Sequence, residues 1–366
     1  MEDFPILYVV TTLGFVLGIA FGVTAQRTHF CTLGAISDIY FIGDWNRFRS
    51  WMLAMAVAMA GSQTLHMMGI LDLSASIYLS PNLGWAGAII GGLLFGFGMT
   101  LGGGCGNKTL VRLGTGNLKS LVVAIVIGIF AYMTLRGLIG LGRVELEALT
   151  VIDLSEMEMA SQGIPEFLAK MGLSEELSRL LATVVIAGGV MVFCLKSPEF
   201  RSSRPDLFAG LIIGLLVTAA WAVTGVVGND DFDPTPLASF TFVAPVGESV
   251  QYLMTFTGAT INFGIAVVGG VIFGSFLTAK MTRQFRVEAF IDSSDMIRHL
   301  TGGALMGVGG VMALGCTVGQ GITGMSTLAL GSLIALLSII GGGLFGMKYL
   351  EEGTLKGAVG ALFERG

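Results

Sequence analysis

Charge is scarce in this chain. Only 12% of its 366 residues are Asp, Glu, Lys or Arg, about half of the ~25% found in an average soluble domain, too little to coat a water-soluble globule. Histidine is limited to three residues, and the four cysteines, Cys31, Cys105, Cys194 and Cys316, lie far apart with no C-x-x-C pair and no Cys/His cluster. That spacing argues against a structural zinc site. No basic tract points to nucleic acid. The opening Met-Glu-Asp has neither a basic n-region nor a small-residue cleavage site, so no cleaved signal peptide is expected. What is plentiful is apolar: 53% hydrophobic residues, a mean hydropathy of +0.81 and 55 glycines. Such a composition excludes a disordered chain and, with so much glycine, a coiled coil. An all-α polytopic membrane protein is expected, with room for roughly eight to ten spans of ~20 residues.

Nine apolar stretches are long enough to count, at about Phe4–Ala25, Trp51–Leu71, Leu83–Leu101, Leu118–Ile139, Leu180–Leu195, Leu207–Val227, Ile261–Ala279, Leu300–Leu314 and Leu328–Met347. Those at Leu180 and Leu300 are short. The cations assign the orientation. Sixteen of the 20 Lys and Arg fall in Arg27–Arg49, Lys108–Lys119, Lys196–Arg204, Lys280–Arg298 and Lys348–Arg365; the other four are Arg136, Arg143, Lys170 and Arg179. The acidic segment from Arg143 to Glu176 lies on the poorer side and carries eight carboxylates. Nine spans then put the N-terminus outside and the C-terminus in the cytoplasm. The acidic segment reads as a solvated connector with one or two short surface helices, Pro165 in a first turn and Ser174 opening another helix.

An internal repeat is visible. Gly91-Gly92, Gly96, Gly98 and Gly104-Cys105 match Gly302-Gly303, Gly307, Gly309 and Gly315-Cys316 at a constant offset of 211. A weaker echo relates His29-Phe30-Cys31 to Thr241-Phe242-Val243. The third span runs inward and the eighth outward, so the repeat is inverted, in a 4+1+4 arrangement. Residues 1–140 form one half, 141–205 the acidic connector and linker span, and 206–366 the inverted half. Transporters built in this way bind substrate near the midplane on broken helices. About a dozen residues separate Cys105 and Cys316 from the next span, too few to cross ~30 Å of hydrocarbon. They suit re-entrant half-helices whose N-termini, with free N–H groups and about half a positive charge, favour an anion. Cys31 precedes a similar short stretch.

Around Cys105 the sequence is Gly102-Gly103-Gly104-Cys105-Gly106-Asn107-Lys108, and around Cys316 it is Gly315-Cys316-Thr317-Val318-Gly319-Gln320-Gly321. Glycines and polar groups around a single thiol allow a ligand to approach the backbone. Gly103, Gly104, Gly106, Asn107, Lys108, Gly315, Thr317 and Gln320 are therefore candidate supporting residues around Cys31, Cys105 and Cys316. Lys108 is either a ligand-attracting charge or a topology anchor. Cys194, beside Lys196 at a span end, reads as packing. The three histidines are scattered, and the 19 methionines read as core filling.

These motifs resemble the YeeE/YedE family of bacterial sulfur-transport membrane proteins, over most of the chain and most specifically at Phe30-Cys31, Gly102–Lys108 and Gly315–Gly321. The resemblance implies an hourglass-shaped helical protein with thiols on a narrow central path. It also implies import of thiosulfate, passed between Cys31, Cys105 and Cys316 by transient S–H···S contacts, without a cofactor or an enzymatic reaction. Asn107-Lys108 departs from the small and His-type residues that follow the middle cysteine in that family. Sulfite or a selenium compound thus stays open as the anion. With no sulfur-carrier domain recognisable in the sequence, a separate cytoplasmic sulfur carrier, TusA-like, is an expected partner. Two other classes compete: a membrane thiol oxidoreductase, which would show paired cysteines or several histidines, and a membrane subunit of a sulfur-metabolism complex. A metal permease would need Asp, Glu or His within the spans, where only His66 lies well inside one.

Overall fold

Residues 6–230 and 234–363 are described by the computed structural model; Phe4 and Pro5 of the first expected span and Arg365 of the last basic segment lie outside them. The chain opens with α1 (Ile6–Thr28), the short α2 (Thr32–Ile42) and α3 (Asn46–Met67). It continues through α4 (Trp85–Leu101), the short α5 (Gly106–Gly114) and α6 (Leu118–Arg136). The acidic connector forms α7 (Leu138–Thr150) and α8 (Ile164–Lys170), followed by α9 (Glu175–Leu195) and the brief α10 (Pro198–Ser202). Then come α11 (Arg204–Ala222), the short α12 (Val243–Met254), α13 (Phe263–Met281) and α14 (Ser293–Met312). A short helical segment covers 317–326, π-helical over Gly319–Gly324, and α15 (Leu330–Glu352) and α16 (Leu355–Phe363) close the chain.

All nine apolar stretches lie on helices, but the bounds differ where polar residues extend a helix beyond its apolar run. α9 starts five residues earlier than its hydropathy implied, and α14 begins at Ser293 and runs 20 residues. Asp292 explains the second case: its carboxylate accepts the Asp295 N–H at 2.7 Å, an N-cap that starts the helix in a charged stretch. Among the described residues, seven helical stretches are long and apolar enough to cross a membrane, those beginning at Ile6, Trp85, Leu118, Glu175, Arg204, Phe263 and Leu330. α3 and α14 have the length, at 22 and 20 residues, but carry Arg47, Arg49, Gln63 and His66, or Asp295, Arg298 and His299. The protein is thus a multi-pass helical membrane protein.

Residues 6–136 and 204–352 follow one order of helices: long, short, two long, short, long. Their packing is reciprocal. α1 packs on α13 and α11 on α3; α4 packs on α15 and α14 on α6; α4 and α14 pack on each other, as do α1 and α11. Exchanging the two runs maps each of these contacts onto another or onto itself. Of the repeated glycines, Gly91, Gly98, Gly302 and Gly309 lie at the α4–α14 crossing, while Gly92 and Gly96 face α15 and Gly303 and Gly307 face α6. A Cβ on Gly98 would stand 2.8 Å from the Gly302 carbonyl oxygen, and one on Gly309 would stand 2.5 Å from that of Gly91. The backbones touch because neither helix has a side chain there.

The ends of the bundle differ in charge. At the basic end, Lys119 Nζ donates to Asp295 at 2.7 Å, joining α6 to α14, and Arg49 Nη1 donates to Ser197 Oγ at 3.0 Å. At the acidic end, Asn82–Leu83 pairs antiparallel with Ile152–Asp153, and Ile164 N–H donates to Leu328 O at 2.9 Å. Pro165 sits in the first turn of α8 as expected, while Ser174 occupies the N-cap place of α9 without a side-chain cap.

Candidate functional site

The short helices place the site. α5 has 9 residues, α2 has 11 and α12 has 12, so at 1.5 Å per residue each spans about half of a ~30 Å apolar layer. Cys31 is the N-cap of α2, Cys105 that of α5, and Cys316 directly precedes the 317–326 segment. Two residues before each thiol the chain turns through the left-handed region, at His29 (φ 54°), Gly103 (φ 67°) and Leu314 (φ 57°). Glycine adopts this conformation freely at position 103. At His29 and Leu314 a side chain accepts it under strain, on the order of 1 kcal/mol or more, of the kind that gathers at functional sites.

The turn brings each sulfur over its own half-helix. In all three cases the backbone N–H three residues on is directed at the sulfur: Gly34 at Cys31, Lys108 at Cys105 and Gly319 at Cys316, the last at 3.4 Å. The thiols are also drawn together. Cys31 Sγ and Cys105 Sγ stand 3.9 Å apart, and the Thr317 side chain, next to Cys316, faces Cys105. The Cys105 thiol donates to Asn107 Oδ1 at 2.7 Å. All three cysteines are free, with exposures of 6%, 0% and 0%, so all three are buried.

Among the described residues, three buried side-chain atoms here have no hydrogen-bond partner: Thr32 Oγ1, Asn107 Nδ2 and Thr317 Oγ1. Each lies in the first turn of a different thiol-bearing half-helix. An unpaired buried polar group costs about 1–3 kcal/mol, and three side by side with free helix N-termini are suited to the oxygens of an anion. The soft thiols beside them suit a polarizable sulfur. α12 is the exception to the thiol pattern. Its N-cap is Phe242, so the sequence echo of Cys31 is displaced by one from Val243. The Phe242 N–H is directed at Cys316, and its ring packs on Phe21 at 5.3 Å and Phe240 at 6.3 Å. One quarter of the ring of helix ends is therefore aromatic.

The remaining candidates fall around this centre. Gly106 has open space up to Phe242 Cβ, 3.7 Å from a constructed Cβ. Gly104 faces Lys108, whose Cγ would lie 3.2 Å from such a Cβ. Gly315 is held against its own half-helix, 3.2 Å from Gln320 N on the same construction. Gln320 Nε2 donates to Ala313 O, and its Oε1 is unpartnered. A void of about 30 Å³ lined by Tyr78, Gln162, Leu314, Gln320 and Ser332 adjoins the Cys316 turn from the acidic side. That is room for about one water. Farther out, Arg179 Nη1 donates to Gln63 Oε1 at 3.3 Å, and Gln63 Nε2 to Ser326 O at 2.8 Å, tying α9 through α3 to the end of the 317–326 segment. Cys194 lies apart and donates to Arg49 O at 3.3 Å, a packing position as expected.

Sequence reasoning missed Thr32, Arg112 and Gln63. Thr32 had a signal, since Thr317 follows Cys316 in the same way. The closeness of Cys31 to Cys105 had none, because it depends on how α2 and α5 meet.

The family described as sulphur transport matches residues 27–345. The thiosulfate transporter TsuA of Escherichia coli K12 is 27% identical over 332 residues, covering 84% of this chain and 86% of that protein. The thiosulfate transporter TsuA of Spirochaeta thermophila is 25% identical over 313 residues, covering 84% and 89%. The probable transporter YedE of Escherichia coli K12 is 32% identical over 102 residues, covering 27% and 23%.

Proposed function

The chain belongs to the sulphur transport family, and on that premise we propose that it imports thiosulfate or a related sulfur-containing anion along Cys31, Cys105 and Cys316. One observation carries this reading. Each thiol sits on a half-helix N-terminus beside an unpartnered buried polar group. The helix ends, at about half a positive charge each, lower the cost of a dianion in a low-dielectric path. The unpartnered groups receive its oxygens, and the thiols its terminal sulfur. Neutral thiols bind such a sulfur briefly and release it, as conduction along successive weak sites needs. The relatives named thiosulfate transporters support the substrate class.

The reciprocal packing of the halves supports the inverted 4+1+4 repeat, with halves at 1–140 and 206–366 and α9 as the linker span. The basic end is the cytoplasmic one by the positive-inside rule, which puts the N-terminus in the periplasm of a bacterial inner membrane. Import then delivers the anion to the cytoplasm, where a TusA-like sulfur carrier is its receiver. Uptake of labelled thiosulfate, sulfite, sulfate and selenite into proteoliposomes tests the substrate: thiosulfate should be accumulated and sulfate left outside. Equal uptake of sulfate would remove the thiols from selection.

One observation favours a second reading, a thiol oxidoreductase. Cys31 and Cys105 are a pair in space although not in sequence. Alkylation and mass spectrometry during turnover separate the two: transport leaves both thiols free throughout, while a redox cycle leaves a trapped disulfide or persulfide.

A further inference from the structure

On the basic-end side of the thiol pair, two cations stand one helical turn apart with no carboxylate between them. Lys108 and Arg112 are i and i+4 on α5, and among the described residues neither makes an ion pair. Like charges at this spacing repel by a few tenths of a kcal/mol. Both side chains are half-buried, where salt and water screen them less. A cation serving only as an anchor would extend into water. These two fold back over the Gly103–Gly104 turn. A Cβ on Gly104 would lie 3.2 Å from Lys108 Cγ and 3.8 Å from Arg112 Nη1. Arg112 Nη1 donates to Gly103 O at 2.7 Å, which uses one of the guanidinium's five N–H groups. Lys108 donates no hydrogen bond among the described residues, and its charge acts on both Cys31 and Cys105.

Arg47 and the imidazole of His29 border Lys108, and His299 Nε2 lies 3.8 Å from the Cβ position of Gly103. The carboxylates facing this cluster are Asp38, bound to Arg47 at 3.3 Å, and Asp295, bound to Lys119 at 2.7 Å. Each is committed to another cation.

We infer that Lys108 and Arg112 form a second anion site, on the basic-end side of the Cys31–Cys105 pair, that takes the oxyanion leaving the thiols and holds it by charge. The inference rests on the proposed passage of an anion through the thiols and adds a step to it. An Arg fork and a Lys point charge one turn apart match two edges of a tetrahedral oxyanion. This site has no sulfur ligand, so it accepts sulfate as readily as thiosulfate. Selection on sulfur belongs to the thiols, and collection at the exit to the cations.

Binding of sodium sulfate to the purified full-length protein, measured by titration calorimetry at low and at physiological salt, tests the site. Wild type should bind sulfate, more weakly at the higher salt. Lys108→Gln and Arg112→Gln should each lose roughly tenfold or more in affinity. Lys108→Arg should stay close to wild type. Arg112→Gln also removes the contact to Gly103; Lys108→Gln removes no hydrogen bond and is therefore decisive alone. Unchanged sulfate affinity in Lys108→Gln, or none in wild type, overturns the site whatever the uptake assays show. Sulfate binding that depends on Lys108, in a protein that takes up no thiosulfate, upholds the site and overturns the import reading instead.

Discussion

Cys31 Sγ and Cys105 Sγ lie 3.9 Å apart across 74 positions of sequence, each at the start of its own half-helix. On the proposed path, an anion at one thiol is in reach of the other. Cys31→Ser keeps the size of the group and its donor but replaces soft sulfur with hard oxygen. Uptake of thiosulfate should fall roughly tenfold or more while the variant still inserts and folds; initial-rate uptake with a thermal melt checks both.

The unpartnered Thr32, Asn107 and Thr317 separate function from stability. Replacing a buried polar group that has no partner removes a burial cost, so Thr317→Val and Thr32→Val should leave the melting temperature unchanged or raise it, by the equivalent of up to about 1–3 kcal/mol. Uptake should fall in the same variants. Lower stability together with normal uptake would mean that these groups serve the fold.

Glycines of two kinds can be told apart. A Cβ on Gly98 meets the backbone of Gly302, which cannot move aside, so Gly98→Val should destabilise the α4–α14 crossing by about 3 kcal/mol or more. A Cβ on Gly104 meets the flexible Lys108 side chain at 3.2 Å. Gly104→Val should melt near wild type and transport poorly, as a pairwise comparison of melts and uptake will show.

The Arg179–Gln63–Ser326 relay holds the outer end of the Cys316 half-helix. Gln63→Leu leaves Ser326 O unpaired in a buried place, at a cost of about 1–3 kcal/mol. A lowered melting temperature is expected. Proteolysis in the acidic-end loops should be enhanced as well, since Leu328 O, next to this segment, is bonded to Ile164.

At the basic end the Lys119 hydrogen bond, then the nearby His299, hold the Asp295 carboxyl down at about 2, from an ordinary 3.8. A depressed carboxylate stabilises the fold above its unfolded value and loses that contribution as pH falls through the folded one. The α6–α14 tie should therefore hold at neutral pH and fail between about pH 4 and pH 2. Asp295→Asn should be destabilised relative to wild type at pH 7, and the gap should close in that acid range; melts across pH measure it.

Much of the architecture was legible from apolar length and the placement of Lys and Arg, because a helix in hydrocarbon must satisfy its backbone internally and shows as an uninterrupted run. The start of α14 was not, since most of Ser293 to His299 is polar and the helix opens there on the Asp292 cap. The spacing after Cys105 and Cys316 implied half-helices, and the structure has them. The glycines told less than they promised. Their offset of 211 marked related positions but not that Gly98 would meet Gly302, so part of what read as room for a ligand is helix contact. The pairing of Cys31 with Cys105, the aromatic Phe242 in a place where a thiol was sought, and the reach of Arg112 back to Gly103 all depend on tertiary packing, which no local spacing encodes.

The central claim is that an anion crosses by way of these thiols, and Cys105, fully buried between Cys31 and Thr317, is its narrowest test. Purified wild type and Cys105→Ala, reconstituted at equal density, are compared for uptake of labelled thiosulfate. Wild type should accumulate it, and the variant should be reduced to the level of empty liposomes while melting within a few degrees of wild type. Uptake by Cys105→Ala at the wild-type rate would contradict the account.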